Sequence, residues 1–405
     1  MTEPIIVVGA SQAGLQVAES LRADGYDGPL VMIGEEAHPP YQRPPLSKAL
    51  LTGETTEDRL VLRGRDLLAK KRIDLVTGVR VEAIERASRR VHLSDGRDLA
   101  YRGLALTTGG RARTLAIPGA DLDGVMTLRT IEDSRRIAAG IAQAASVAVV
   151  GGGFIGLEIA AAARKAGKPV VVLEALDRLL ARSSAPFVSD FFLALHGSNG
   201  VDVRLRTQVT AIAGNDGRVA AVVAGDGRAH PADLVVVGVG IMPNAELAQQ
   251  SGIACDRGIV VDDCSRTNDP AVVAAGDCTA RRLADGSLLR LESVQNAIEQ
   301  GKSAAAALLG RARPFTAAPW FWSDQFDVRL QMAGLSAGHD RIVVRGATAA
   351  RRFSVFYFRG ETLIAVDSVN RAPDHIAARR LLDAGKSPTF AQAQDEAFAL
   401  AGLLK

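Results

Sequence analysis

The chain has 405 residues, of which 47% are hydrophobic, 23% charged and only 4% aromatic, and its formal net charge is +3. The length exceeds one core and implies two or three domains. The basic residues are scattered rather than striped, which argues against a nucleic-acid footprint. With no apolar run of spanning length and no basic-then-apolar leader at its start, the expectation is a cytoplasmic protein with no membrane contact.

The first element is a strand, Ile5-Ile-Val-Val, running into Gly9-Ala-Ser-Gln-Ala-Gly14, a helical stretch over 13–23 and a second strand over 30–34 that ends at Glu35. Residues 80–110 alternate short apolar strands with turns such as Asp95-Gly96 and close on Leu104-Ala-Leu-Thr-Thr-Gly-Gly110. About 140 residues after the first glycine turn the opening pattern returns: Val147-Ala-Val-Val, Gly151-Gly-Gly-Phe-Ile-Gly156, a helix over 154–166 and a strand over 170–174. Each copy reads as a βαβ crossover, and two such crossovers imply two nucleotide-binding domains. The span 201–240 repeats the hairpin grammar, with Asn215-Asp-Gly and Gly225-Asp-Gly as turns. From Trp320 onward three antiparallel strands are expected, followed by helix from His375, which makes a third domain of α+β type.

The second glycine turn has the full pattern for NAD. Its first Gly permits the tight turn, its second lets backbone N–H groups approach a pyrophosphate, and its third allows close helix–strand packing. Glu174, eighteen residues past Gly156, can accept both ribose hydroxyls and would repel a 2′-phosphate, so NADH is expected over NADPH. The nearest basic residue after it is Arg178. The first turn departs from the pattern, with Ser11 where the central Gly would stand, and Glu35 is its ribose acid. Cys255, Cys264 and Cys278 form no CxxC pair, and the six histidines are isolated, so no metal site is expected. Ala271-Val-Val-Ala-Ala-Gly-Asp277 is a short strand ending in Gly-Asp.

Together with Tyr41-Gln-Arg-Pro-Pro-Leu-Ser-Lys48, Leu291-Glu-Ser-Val-Gln-Asn296 and Pro319-Trp-Phe-Trp-Ser-Asp324, these segments resemble the FAD-dependent, NADH-utilising ferredoxin reductases of bacterial oxygenase systems. The fold implied is α/β, two Rossmann-like (glutathione-reductase-like) dinucleotide-binding domains plus a C-terminal α+β domain. The domains are expected at 1–112 with 241–318 for FAD, 113–240 for NADH as an insertion, and 319–405. The resemblance implies FAD contacts from the Gly9, Ser11, Ala13 and Gly14 turn, from Glu35, Val81, Thr108, Gly109 and Arg129, and from Asp277 and Val294. It sets Arg43, Pro45 and Lys48 beside the flavin and Trp320 at the isoalloxazine edge. On the NADH side it implies Gly151, Gly153, Phe154, Ile155 and Gly156, with Glu174, Arg182 and Gly240, and Glu158 facing the nicotinamide. Lys48, Pro45, Glu158 and Trp320 are the expected catalytic group.

NADH would give a hydride to flavin N5, with protein supplying position and electrostatics, and Lys48 would set a cation near N5. The partner implied is an acidic [2Fe–2S] ferredoxin on a separate chain, with Lys302, Arg311 and Arg313 as candidates for its docking. A disulfide reductase would need a cysteine on 38–48, where there is none. The remaining alternatives are an NADH oxidase or diaphorase, and a redox-responsive NADH-binding interaction protein of the apoptosis-inducing-factor type.

Overall fold

The computed structural model describes residues 3–404. The chain forms two compact units from interleaved segments: one from the chain up to Gln42, Asp58–Arg111 and Met242–Pro319, the other from Arg43–Glu57, Ala112–Ile241 and the chain from Trp320 onward.

In the first unit the apolar run Ile5–Val8 is buried along its whole length, as expected of a strand covered on both faces. It pairs in parallel with Leu30–Gly34 on one side and Gly103–Leu106 on the other. Asp74–Thr77 and Val272–Ala274 extend this parallel sheet to five strands. The strand order therefore reverses beside the carboxyl end of Ile5–Val8, the crevice where open parallel sheets receive ligands. One face packs under helices Gln12–Ala23 and Val294–Leu308, with Val17, Leu21, Met32 and Ala304 in the core. The two helices approach closely at Gly301, where a Cβ would stand 2.8 Å from that of Gln16. The antiparallel strands Val81–Glu85, Arg90–Leu93 and Asp98–Ala100 help to cover the other face through Val81, Ile84 and Val91.

The second unit contains another five-stranded parallel sheet, ordered Val201–Arg204, Val170–Leu173, Val147–Val150, Leu234–Val237, Val125–Thr127. Helix Phe154–Lys165 crosses between its central strands, and the Asn215-Asp-Gly turn closes the hairpin Val209–Asn215 with Arg218–Ala224. The C-terminal part is a five-stranded antiparallel sheet, Trp320–Gln325, Val328–Gly334, Thr362–Val369, Arg352–Arg359 and Arg341–Ala347. Helix Ala372–Asp383 starts three residues before the expected His375 because Pro373 suits its first turn. Phe356, Phe358, Val366 and Leu381 are the centre of this layer, each fully buried side chain contributing roughly 1.5–3 kcal/mol. No described helix is long and apolar enough to cross a membrane.

Candidate functional site

In the first unit the site grows from the turn after Ile5–Val8. Gly9 holds φ +110°, where a Cβ would stand 2.2 Å from the Thr107 carbonyl oxygen, and a Cβ at Gly14 would stand 1.9 Å from the Gly9 oxygen. Both must be glycine. Ser11 is the N-cap of helix Gln12–Ala23 in extended backbone, and Leu15 N donates to its carbonyl at 2.9 Å. A serine is thus accommodated where the pattern calls for glycine, and the helix N-terminus points its first N–H groups across the turn.

Around this turn the expected residues fall on three strand ends. Glu35 is exposed beyond Leu30–Gly34, with Arg80 3.5 Å away, and Val81 is buried one residue further on. Thr108 and Gly109 follow Gly103–Leu106 in a loop clamped by Asn244. The Thr108 hydroxyl donates to the Asn244 carbonyl at 2.5 Å, Asn244 Nδ2 donates to the Thr108 carbonyl at 3.0 Å, and Asn244 N donates to Gly109. Asp277 is half-buried after Val272–Ala274, and Gly276 before it packs against Ala13. Buried Gln300 anchors that strand end, its Oε1 accepting from Gly276 N at 2.8 Å, the Thr279 hydroxyl at 3.0 Å and Asn296 Nδ2 at 3.2 Å. Val294 opens the helix capped by Ser293, and beside it the buried Gln295 Oε1 has no protein partner. Two glycines that exclude a Cβ, an open helix N-terminus and an orphaned buried oxygen suit the pyrophosphate and polar tail of FAD.

Thiol chemistry has no foothold here. Cys278 is fully buried, and burial pushes its thiol up to about 11. Among the described residues no group of His, Cys, Asp and Glu could hold a metal ion.

The second unit repeats the turn with three glycines. Gly151 has φ +106°, and a Cβ at Gly156 would stand 2.3 Å from the Gly151 oxygen. Gly153 caps helix Phe154–Lys165, a Cβ there meeting nothing nearer than 3.9 Å, and Ile155 is exposed beside it. Glu174 ties the site together: Oε2 accepts from Gly152 N at 2.6 Å and Oε1 from Leu176 N at 2.8 Å. A carboxylate has about four lone-pair positions, so two remain for the two hydroxyls of a ribose. Arg178, the next basic residue along the chain, is held by its own loop, donating to the Ala181 and Ser184 carbonyls and to the Ser189 hydroxyl. Exposed Arg182 stands over Gly240, 3.3 Å from where a Cβ there would lie.

The same unit gathers Arg43, Pro45, Lys48, Arg129, Glu158 and Trp320. The segment Pro44–Ser47 is a 3-10 turn that Arg43 precedes, with Arg43 Nη1 donating to the Arg129 carbonyl at 2.7 Å. Ser134, on helix Ile131–Gln143, donates to the Leu46 carbonyl at 2.8 Å. Lys48 Nζ lies 2.8 Å from Glu158 Oε2, which also accepts from the Ser47 hydroxyl. Glu158 is 4% exposed on helix Phe154–Lys165, and its Oε1 accepts from the Ser323 hydroxyl at 2.6 Å. On the other face of strand Trp320–Gln325, Trp320 and Trp322 stand 5.7 Å apart, with the Arg379 guanidinium 4.5 Å over Trp320. His375, 6.0 Å from Trp320, is pushed down to about 4 by burial and then by Arg379 and Arg329. It is neutral at neutral pH.

Sequence reasoning missed Ser47, Ser134, Ser323, Gln300 and Asn244. The Pro-Pro-Leu-Ser-Lys and Trp-Phe-Trp-Ser-Asp strings carried two of the serines without marking them. The docking candidates lie in the first unit: Arg311 and Arg313 are exposed past the end of helix Val294–Leu308, whereas Lys302 is half-buried and paired with Glu299 at 2.7 Å.

Comparison with known proteins agrees with this arrangement. Residues 3–301 match the pyridine nucleotide-disulphide oxidoreductase family model, and residues 320–404 match the reductase C-terminal model. The chain is 45% identical over 397 residues to rhodocoxin reductase of Rhodococcus erythropolis, covering 98% of this chain and 93% of that protein. It is 43% identical over 385 residues to putidaredoxin reductase of Pseudomonas putida, covering 93% and 91%. Among solved structures it is similar to the ferredoxin reductase for the CYP199A2 system of Rhodopseudomonas palustris, with a TM-score of 0.96, 42% identity and 99% of each chain covered. The covalent putidaredoxin reductase–putidaredoxin complex gives a TM-score of 0.95 at 40% identity, covering 100% of this chain and 98% of that one. The chain belongs to the pyridine nucleotide-disulphide oxidoreductase family, and within it to the FAD-dependent, NAD(H)-using ferredoxin reductases of bacterial oxygenase systems.

Proposed function

We propose that this chain takes a hydride from NADH and passes its electrons, one at a time, to a [2Fe–2S] ferredoxin on a separate chain that serves a cytochrome P450 or a ring-hydroxylating oxygenase. The observation that carries the reading is the pairing of two glycine-turn crossovers with the ion pair between partly buried Lys48 and buried Glu158, in a chain with no cysteine over 38–48. Bound FAD supplies the hydride acceptor and the switch from two-electron to one-electron chemistry.

The residues of the chain bind, orient and exclude water. The turn Gly9–Gly14, with Ser11 and Ala13, would cradle the FAD pyrophosphate, Glu35 its adenosine ribose, and Val81, Thr108, Gly109, Asp277 and Val294 its remaining length. Arg43, Pro45 and Arg129 would line the flavin, and Trp320 would shield its edge. Gly151, Gly153, Phe154, Ile155 and Gly156 would receive the NADH pyrophosphate, helped by Arg182 and Gly240. Lys48 would hold a positive charge near the atom that accepts the hydride, and Glu158 would face the carboxamide. Glu174 supports NADH over NADPH, and the three hydrogen bonds that tie the Arg178 guanidinium to its own loop support it further.

FAD would lie on a domain formed by 1–112 and 241–318 and NADH on 113–240, with an α+β domain on 319–405. The free cysteines suit a reducing compartment, and the supply of NADH places the work in the cytoplasm. Anaerobic titration of the FAD-loaded protein tests the cofactor reading. One equivalent of NADH should bleach the flavin, and NADPH should bleach it far more slowly; equal rates would refute the nucleotide preference.

A further inference from the structure

Strand Trp320–Gln325 has a second face that the proposed chemistry leaves unexplained. Phe321, Ser323 and Gln325 alternate with the two tryptophans, and Ser323 and Gln325 are each 1% exposed. Opposite them lies helix Phe154–Lys165. The Phe321 ring meets the Phe154 ring at 4.8 Å, and the Ser323 hydroxyl meets Glu158 at 2.6 Å. Four residues of helix rise about 6 Å and two residues of strand about 6.6 Å, so the two contacts fall in register. The strand fits the helix at both the ring that follows the glycine turn and the carboxylate one turn later.

The polar contacts behind Ser323 have a single direction. Gln325 Nε2 donates to Ser323 Oγ at 3.1 Å, which leaves Gln325 Oε1 as an acceptor, 2.8 Å from His196 Nε2. His196 must therefore carry its proton on Nε2. The ring is 0% exposed, Phe326 packs at 5.1 Å, and Nδ1 has no partner. Burial lowers the affinity of the ring for a second proton. Each donor points at the next acceptor and the last points at Glu158, an arrangement in which each bond polarises the next. Because the chain ends on a buried imidazole with a bare nitrogen, it has no exit for a proton. It holds and does not conduct.

We propose that Ser323, backed by Gln325 and His196, is a positioning residue for Glu158, fixing the carboxylate that faces the nicotinamide from the side opposite Ser47 and Lys48. The inference rests on the proposed role of Glu158.

The test compares Ser323→Ala, Ser323→Thr, Glu158→Gln and the Ser323→Ala/Glu158→Gln pair as full-length FAD-loaded proteins, after their FAD content is matched. NAD+ affinity is read by calorimetry, and single-turnover flavin reduction by NADH is read by absorbance. Loss of a hydrogen bond to a charged group predicts that Ser323→Ala weakens NAD+ about tenfold and slows flavin reduction by a similar factor. Threonine, which keeps the hydroxyl, should restore both. Adding Ser323→Ala to Glu158→Gln should cost clearly less than it does in the wild type, because a neutral amide oxygen accepts a weaker hydrogen bond than a carboxylate. Losses that add in the pair, or a Ser323→Ala protein with wild-type affinity and rate, overturn the positioning role while leaving that of Glu158 intact. A Glu158→Gln protein that behaves as wild type overturns the reading of Glu158 itself. Should Ser323→Ala fail to fold, Gln325→Leu removes the donor behind Ser323. It should weaken NAD+ clearly more in wild type than in Glu158→Gln, and the opposite result counts against the proposal.

Discussion

Replacing Lys48 with methionine removes the cation paired with Glu158 and a long hydrogen bond to the Pro44 carbonyl. Its Nζ lies 2.8 Å from Glu158 Oε2, and the side chains are 17% and 2% exposed. Methionine keeps most of the apolar stem, and the carboxylate keeps the Ser47 and Ser323 hydroxyls. Removing one partner of a buried pair costs roughly 3–5 kcal/mol. The partial exposure of Lys48 and the two remaining donors put this case at the lower end, about 3 kcal/mol. If that loss falls on the transition state of hydride transfer, the rate drops about a hundredfold. Rapid mixing of anaerobic FAD-loaded protein with NADH, followed at the flavin band, measures the step directly. A Lys48→Met protein within about threefold of the wild-type rate would refute the reasoning.

Other outcomes follow from particular contacts. Glu174→Ala removes the ribose acceptor and the tie to Gly152 N, so the KM for NADH should rise about tenfold or more. NADPH should not become a good substrate, because Arg178 stays bound to its loop; efficient NADPH turnover in steady-state assays would contradict this. Asp367, which accepts from the Tyr357 hydroxyl at 2.7 Å, is pushed up to about 7 by burial. Its folded-state value therefore lies above the roughly 3.9 of an unfolded aspartate, and stability falls as pH rises between the two, by up to about 4 kcal/mol above pH 7. Asp367→Asn should be the more heat-stable protein at pH 8 and lose that advantage near pH 4, as thermal melts across this range would show. Changing Lys302, Arg311 and Arg313 together to glutamate should slow ferredoxin-dependent turnover about tenfold at low salt and leave NADH-to-ferricyanide turnover alone. Equal losses in both assays would remove these residues from docking.

Much of this was legible because local repeats encode it. Both glycine turns, both crossovers and the Asn215-Asp-Gly hairpin stand at the positions their spacing implies. Ser11 was readable as a departure, and the structure shows why it is tolerated: the N-cap residue has extended backbone, while the Cβ-excluding positions are Gly9 and Gly14. The polar anchors were not legible. Asn244 clamps Thr108 from 136 residues away, Ser323 reaches Glu158 across 165, and His196 meets Gln325 across 129. A buried amide or hydroxyl has no periodicity of its own, and its partner is set by which strand ends the topology brings together. Arg178 shows the same limit, since sequence put a base shortly after Glu174 and only the loop geometry shows it tied down by three hydrogen bonds.

The most direct test of the central claim is NADH-driven cytochrome c reduction by the FAD-loaded protein, with and without an added [2Fe–2S] ferredoxin from an oxygenase system. Reduction should be slow with the protein alone, and its rate should rise and saturate with ferredoxin concentration. A rate independent of the ferredoxin, with NADH consumed by oxygen or artificial acceptors alone, would contradict the claim and identify an oxidase or diaphorase.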